Sequence, residues 1–176
     1  FSPSFTLTYE DIEISNKASS TIKKMAGSYA NVDFSYAITN DQRDQAYQTN
    51  SGYYSKFVQS IPLLIDSSSF LNGLDINKYY TFTDDIKGQA KFYSRAIIGV
   101  DENVRISERL HIPVQRIRGF EARKIGPKDG VEFIGGNYAT ALSFEAGFPN
   151  LLPEDTKTDI SLFFDTANLW SVDYDT

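Results

Sequence analysis

The sequence predicts an all-β protein built from antiparallel strands. Apolar and polar residues alternate with period two along several segments, aromatic residues make up 14% of the chain, with 11 Tyr and 13 Phe, and no segment has a convincing helical pattern. The longest apolar runs, such as Ile61 to Ile65, are far shorter than the roughly 18 residues that a transmembrane helix needs. A membrane location would therefore require a β-barrel.

Composition excludes several classes of function. The net charge of -6 and the pI near 4.8 give no general attraction to nucleic acid, and the basic residues are scattered, so nucleic acid is not an expected partner. Cysteine is absent, which excludes disulfides and thiolate metal sites. The first residues, Phe1 to Ser4, carry neither a basic region nor an apolar signal core and are interpreted as a cut end.

In the first half of the chain, alternation predicts four strands, over residues 5–14, 29–39, 51–64 and 70–83. The second of these is the clearest, with apolar residues such as Val32 and Phe34 at even positions and polar residues at odd positions. In the fourth, Lys78 is an exception on the apolar side. The first and third are less regular, because alternation slips at Glu10 and Pro62 lies near a strand end.

The second half predicts three more strands, over residues 87–98, 137–148 and 159–165, so that about seven strands are expected in all. Between the first two of these lies a long loop, residues 100–136, without alternation; loops of this length are usually functional. The other connections are shorter and are expected at residues 40–50, 66–69, 84–85 and 149–157.

Alternation alone does not separate a soluble sandwich from a membrane barrel, because both have one apolar and one polar face per strand. The polar faces here are rich in Asn, Ser, Thr, Gln and Gly, with single charges. About seven strands in lipid would leave two edges with unpaired backbone groups, so a barrel of this chain alone could not close. The chain is therefore either a soluble β-sandwich or a piece of a larger barrel.

Three segments follow one another in the long loop: Arg116-Ile117-Arg118-Gly119-Phe120, Lys124-Ile125-Gly126-Pro127-Lys128-Asp129 and Ile134-Gly135-Gly136-Asn137. The next predicted strand carries Glu145, and the one after it carries Phe163-Phe164-Asp165. Together they resemble the BamA family of bacterial surface antigens, in which an Arg-Gly-Phe motif preceded by Val or Ile lies on a long extracellular loop that folds back into the barrel. The resemblance covers about residues 28–170.

A periplasmic Arg-Asp turn followed by a strand-opening Gly is a further feature that the resemblance implies. It is similar to Arg43, Asp44 and Gly52 here, although the usual Pro before the Gly is missing and Asn50 lies nearby instead. The resemblance implies an antiparallel transmembrane β-barrel. Residues 1–176 would form a single partial barrel domain of about seven strands with the loop inserted into the lumen, and the POTRA domains and the remaining strands would lie outside this chain.

The resemblance also implies a site without a catalytic residue. Arg118 on the loop would meet two lumen carboxylates, Glu145 and Asp165, which share the polar parity of adjacent strands. A guanidinium suits this role because it stays protonated and presents a planar fork of donors. Gly119 would allow a sharp loop tip and Phe120 would pack against the lumen wall. The supporting residues are Ile117, Gly126, Pro127, Gly135, Gly136, Asn137 and Phe163.

Other candidate sites are weaker. His111 is the only histidine, which argues against a catalytic triad or a multi-histidine metal site, and it is expected to be a loop residue. Glu145 and Asp165 could form a glycosidase pair, but Arg118 would hold both ionised and leave no general acid. Residues 153–155 and 84–85 lack the spaced ligands of a calcium loop. We expect no enzyme activity, no cofactor and no metal.

The resemblance implies a function in the bacterial outer membrane: assisting the folding and insertion of β-barrel proteins. The partners would be outer-membrane lipid, unfolded outer-membrane protein clients and accessory assembly lipoproteins, the last reached through the absent POTRA domains. Three alternatives stay open: a related translocation barrel, either TamA-like or a two-partner secretion transporter; a soluble β-sandwich binding module; and a passive porin, which would lack the charged site.

Overall fold

A single antiparallel sheet dominates the computed structural model, which describes residues 1–16, 18–64, 68–100, 102–156 and 158–174. Its seven strands are β1 (Ser2–Ile12), β2 (Gly27–Asp41), β3 (Gly52–Leu64), β4 (Ser68–Thr83), β5 (Ile86–Val100), β8 (Tyr138–Phe148) and β9 (Ile160–Trp170). A one-turn helix, α1 (Ser20–Lys23), precedes β2, and a small hairpin of β6 (Lys128–Asp129) and β7 (Glu132–Phe133) lies in the long loop. The prediction of an all-β antiparallel fold is confirmed.

The strand order is β1-β2-β3-β4-β5-β8-β9, so every strand of the sheet pairs with its neighbour in the chain. The long loop, residues 101–137, therefore connects two paired strands, β5 and β8. The sheet is not closed, and its two edges are β1 and β9, as a part of a larger barrel requires. Among the described residues, no helix is long and apolar enough to cross a membrane.

Several boundaries differ from those predicted. The first strand, β1, is shifted toward the N-terminus, because Ser2 to Ser4 already pair with β2 and the pairing ends at Ile12. Glu10 and Asp11 continue the pairing despite the slip in alternation. The last strand, β9, continues to Trp170. Thr166 and Asn168 are polar residues at even positions, where the earlier part of the strand has apolar residues, so alternation did not predict this extension. Helix α1 was not predicted and is capped by Ser19, whose side chain accepts a hydrogen bond from the amide of Ile22.

Two predicted connections fall partly on residues outside those described. In the 66–69 connection, residues 66 and 67 are outside, and Ser68 and Ser69 already belong to β4. In the 149–157 connection, residue 157 is outside, and the preceding part contains a 3-10 helix, Glu154–Thr156. The tight turn predicted at 84–85 joins β4 to β5 as expected.

The two faces of the sheet have different surroundings. On one, which we call the covered face, Tyr93, Ala139 and Leu169 form a buried cluster with Ile112 and Ile117 of the long loop. The opposite, open face carries large exposed apolar side chains on strands across the sheet, among them Phe5, Leu7, Ile38, Ile76, Phe82, Ile98, Phe144, Leu162 and Phe164. A continuous apolar surface of this kind is typical of a barrel wall in contact with lipid.

The base of the long loop is held closely to the sheet. Leu110 and Gly136 exchange two backbone hydrogen bonds, with N to O distances of 2.9 and 3.1 Å. Just after β9, the carboxylate of Asp173 accepts from the amide of Val104 at 2.8 Å and from Asn137 Nδ2 at 2.7 Å. The loop therefore leaves and re-enters the sheet at one fixed place.

Candidate functional site

Arg118 binds the covered face through five hydrogen bonds. Its Nε and Nη2 donate to Asp165 Oδ2 and Oδ1, both at 2.8 Å, and its Nη1 donates to Glu145 Oε2 at 2.7 Å. The backbone amide of Arg118 also donates to Asp165 Oδ2 at 3.0 Å, and Nη2 reaches Ser143 Oγ at 3.2 Å. One loop residue is thus fixed to two strands by charge-assisted bonds, several of them sharing one carboxylate.

Strand register explains how the two carboxylates meet one guanidinium. Ser143 on β8 pairs with Asp165 on β9, and Glu145 pairs with Phe163, so the four side chains form one patch on the covered face. Ser143 Oγ donates to Asp165 Oδ1 at 2.6 Å. The ring of Phe163 lies 3.6 Å from the guanidinium carbon of Arg118, which adds a cation-π contact to the two ion pairs.

The site is built to keep its charges. Hydrogen bonds to Asp165, and then to Glu145, raise the pKa of the Arg118 guanidinium above its ordinary value. The Asp165 side chain is only 4% exposed, whereas that of Arg118 is 34% exposed. An arginine held in this way neither gives nor takes protons near neutral pH, so the arrangement is suited to holding the loop and not to acid-base chemistry.

The structure also places the other residues of the loop motif. Ile117 is buried in the cluster of the covered face. Gly119 has φ +85, a conformation that favours glycine, as expected for a loop tip. Phe120 is 58% exposed, and the ring that contacts Arg118 is Phe163, from β9. Register places Phe163 at the site, because it pairs with Glu145.

The remaining supporting residues shape the return of the loop to β8. Gly126 and Gly135 have φ +106 and +77, and a Cβ at Gly126 would lie 2.6 Å from a methyl carbon of Leu169. The carbonyl of Pro127 accepts from Ile134 at 3.1 Å. Asn137 donates its amide to the carbonyls of Trp170 and Ser171. Gly136 takes part in the bridge to Leu110, so these residues fix the loop base and do not contact Arg118.

A second ionic cluster lies on the same face and was not predicted. Asp75 on β4 accepts from Arg95 of β5 and from Arg116 of the loop, each at 2.5 Å. Both guanidinium groups lie over the ring of Tyr93, at 4.3 and 5.0 Å from its centroid. Asp75 and Arg95 stand at odd, polar positions of their strands, so the sequence indicated that both lie on the same face of the sheet. Nothing in the sequence links them to Arg116.

The turn between β2 and β3 borders the Arg118 site, since Arg43 and Glu145 both line one cavity. Arg43 forms a bidentate ion pair with Asp41, at 2.8 and 2.7 Å, and its guanidinium lies 5.1 Å from the ring centroid of Tyr54. The Asp44 carboxylate accepts from the amides of Gln45, Asn50 and Ser51. Gly52 has φ +101. Arg43, Asp44 and Gly52 therefore define the shape of the turn, and Thr81 of β4 donates to the carbonyl of Asn50 at 2.9 Å, which joins the turn to the next strand.

We expect Gly52→Ala to destabilise the protein strongly. A Cβ at this position would lie 2.9 Å from Arg43 Cα, and the φ of +101 is strained for any L side chain. The expected loss is about 3 kcal/mol or more in the free energy of unfolding, measured by urea denaturation of the protein in detergent.

Gly130→Ala is the matched control for this substitution. Gly130 also has a positive φ, +62, but a Cβ there would meet no atom within 4 Å. It should lose only about 1 kcal/mol. Equal losses for the two variants would contradict the requirement for glycine at Gly52.

The weaker candidates from the sequence show no second site. His111 lies half-buried in the loop, where burial and the charge of Arg123 lower its pKa. Asp85 accepts from Asn150 Nδ2 at 2.7 Å, as a turn residue would, and the side chain of Glu154 is outside the described part of the chain. Among the described residues, no group of three or more His, Cys, Asp or Glu is arranged to hold a metal ion.

Comparison with known proteins gives one match. The family model described as the Omp85 superfamily domain matches residues 1–176. No curated protein matches the chain.

Proposed function

Because this chain belongs to the Omp85 superfamily, whose members are outer-membrane β-barrel proteins with roles in barrel assembly or translocation, we propose that it is part of a BamA-type assembly factor. The protein would help unfolded outer-membrane proteins to fold and insert as β-barrels. It would not be an enzyme and would need no cofactor.

The observation that carries this proposal is the attachment of the long loop to the covered face through Arg118. The geometry agrees with the arrangement that the BamA family resemblance implies: Arg118 contacts both Glu145 and Asp165, at 2.7 and 2.8 Å. We infer that these contacts hold the loop inside the lumen and stabilise the barrel state that permits insertion. In this proposal the loop acts on the barrel and does not bind the client itself.

The partners follow from the two faces and from the parts outside this chain. The open face would contact outer-membrane lipid, in agreement with its exposed apolar side chains such as Phe144 and Phe164. Clients would enter through other strands of the intact barrel. Accessory lipoproteins would bind POTRA domains. The organism would be a Gram-negative bacterium, or the protein would belong to an organelle descended from one.

A related translocation barrel is the main alternative, either TamA-like or a two-partner secretion transporter. The superfamily match and the loop contacts are compatible with both. The length of the POTRA array encoded upstream would separate them: a long array would favour a BamA-type factor and a shorter one the related transporters.

The direct test of the proposal uses the intact protein in lipid vesicles. Unfolded outer-membrane β-barrel clients are added, and the folded, protease-protected fraction is measured over time. We expect faster client insertion than in vesicles that hold a passive porin. Equal rates in the two kinds of vesicle would refute an assembly function, and transport of a soluble secreted client into the vesicles would favour the alternative.

A further inference from the structure

We propose that Arg116, Asp75 and Arg95 form a second anchor for the long loop, and that Arg116 is a positioning residue for Arg118. This inference deepens the proposed function and rests on it for its functional consequence. The first anchor, Arg118, binds β8 and β9; the second binds β4 and β5. The two anchors together connect the loop to four adjacent strands, so they brace four of the seven strands of the sheet.

The sheet is shaped to present Asp75 to the loop. Asp75 on β4 pairs with Tyr93 on β5, and Gly73 pairs with Arg95. A Cβ at Gly73 would lie 2.7 Å from both Cδ and Nε of Arg95. The absence of a side chain at Gly73 therefore gives Arg95 the space to lie across β4 and reach the carboxylate two residues further along that strand.

Burial makes this cluster different from a surface ion pair. The side chain of Asp75 is 9% exposed, and those of Arg95 and Arg116 are 17% and 25% exposed. Tyr93, whose ring contacts both guanidinium groups, is 8% exposed. Water and salt therefore screen these charges less than they would on an open surface, and a lost partner would not be replaced fully by solvent.

Charge balance separates the roles of the two arginines. One oxygen of Asp75 accepts from Arg95 and the other accepts from Arg116, so one carboxylate faces two positive groups. Arg95, which belongs to the sheet, already neutralises Asp75. The sheet does not need Arg116 for its own charge balance, and the contact of Arg116 therefore serves the loop.

Position in the chain connects this anchor to the first one. Arg116 ends a 3-10 helix, Val114–Arg116, and Ile117 lies between the two arginines with an extended backbone and a buried side chain. Fixing Arg116 restricts where Arg118 can lie, since only one residue separates them. Loss of the Asp75 contact should thus loosen the Arg118 contacts without removing any of their atoms.

The experiment measures loop exposure in the intact protein in detergent. The chain has no cysteine, so Ile112→Cys provides a single reporter in the part of the loop that packs on the covered face, where Ile112 is only 6% exposed. Its labelling rate with a bulky hydrophilic maleimide is compared between Arg116→Gln, Arg116→Lys and Lys128→Gln. The last removes one positive charge from the exposed hairpin of the same loop and is the matched control.

We expect Arg116→Gln to raise the labelling rate about tenfold. This is the size of effect expected when a typical interaction energy between two contacting residues is lost. Arg116→Lys should restore much of the protection, because its ammonium can still reach Asp75, and Lys128→Gln should stay within about twofold of the unaltered loop. In a background with Asp75→Asn, the Arg116→Gln change should add little further exposure. Each variant is checked for folding by testing whether it resists denaturation by detergent until it is heated.

A labelling rate in Arg116→Gln equal to that of the unaltered loop would overturn the second anchor. An equally large rise in labelling rate from Arg116→Gln in the Asp75→Asn background would overturn it as well. Client insertion is measured on the same variants. Raised labelling with unchanged insertion would keep the anchor and contradict its link to the proposed function, so the two failures are distinguishable.

Discussion

Arg118→Ala in the intact protein is expected to release the long loop from β8 and β9 and to lower the rate of client insertion severalfold. Asp165 would lose the two hydrogen bonds from the guanidinium and keep the one from Ser143, and the backbone amide of residue 118 could hold it only while the loop stays docked. A nearly buried carboxylate without its partner costs about 1–3 kcal/mol, which is comparable to the coupling that holds a loop in place. Exposure of the loop to proteinase K and insertion into vesicles are the two measurements.

Charge exchange tests whether the contact is direct. Arg118→Glu places a third carboxylate beside Glu145 and Asp165 and should be more harmful than Arg118→Ala. Adding Glu145→Arg should restore part of the protection, since it re-creates one ion pair while Asp165 remains acidic. Unchanged protection and insertion in Arg118→Ala would sink the proposed role of the loop contact.

Ile117→Asp should undock the loop by a different route, leaving both anchors chemically intact. Ile117 is 7% exposed and packs with Ala139 and Leu169 on the covered face. A carboxylate in this apolar cluster would cost about 3 kcal/mol or more, so the loop should leave the sheet and expose its buried side, including Ile112. The labelling rate of the Ile112→Cys reporter measures the effect.

Val114→Asp is the matched control, because Val114 lies three positions earlier in the same loop and is 43% exposed. It should change the labelling rate little. If both substitutions expose the reporter equally, the loop is held by its overall charge and not by the apolar cluster around Ile117.

The strands could be predicted from the sequence because mostly polar side chains on the covered face alternate with exposed apolar side chains on the open face. This contrast produces clean alternation in β2 and β8, where apolar and polar positions are well separated. It fails at the end of β9, where Thr166 and Asn168 stand at apolar parity, so pairing continues without an apolar signal. The register with β8, which a single strand does not reveal, keeps that segment extended.

The candidate site was predictable only in part. Parity put Glu145 and Asp165 on one side of the sheet, and the loop motif supplied Arg118. The contact between Asp75 and Arg116 joins residues 41 positions apart, and neither local alternation nor the motif contains that information. The cation-π contact between Phe163 and Arg118 has the same cause, since it joins a strand to a loop residue 45 positions away.

The Leu110–Gly136 bridge has a consequence for the order of folding. Pairing β5 with β8 must close the whole intervening loop, and this ordering has an entropic cost that grows slowly with the length of the loop. The bridge ties the loop ends once that pairing exists, but the Arg118 contacts also require β9 beside β8. The Arg118 contacts can therefore form in full only once β9 lies beside β8, and releasing them breaks none of the strand pairing.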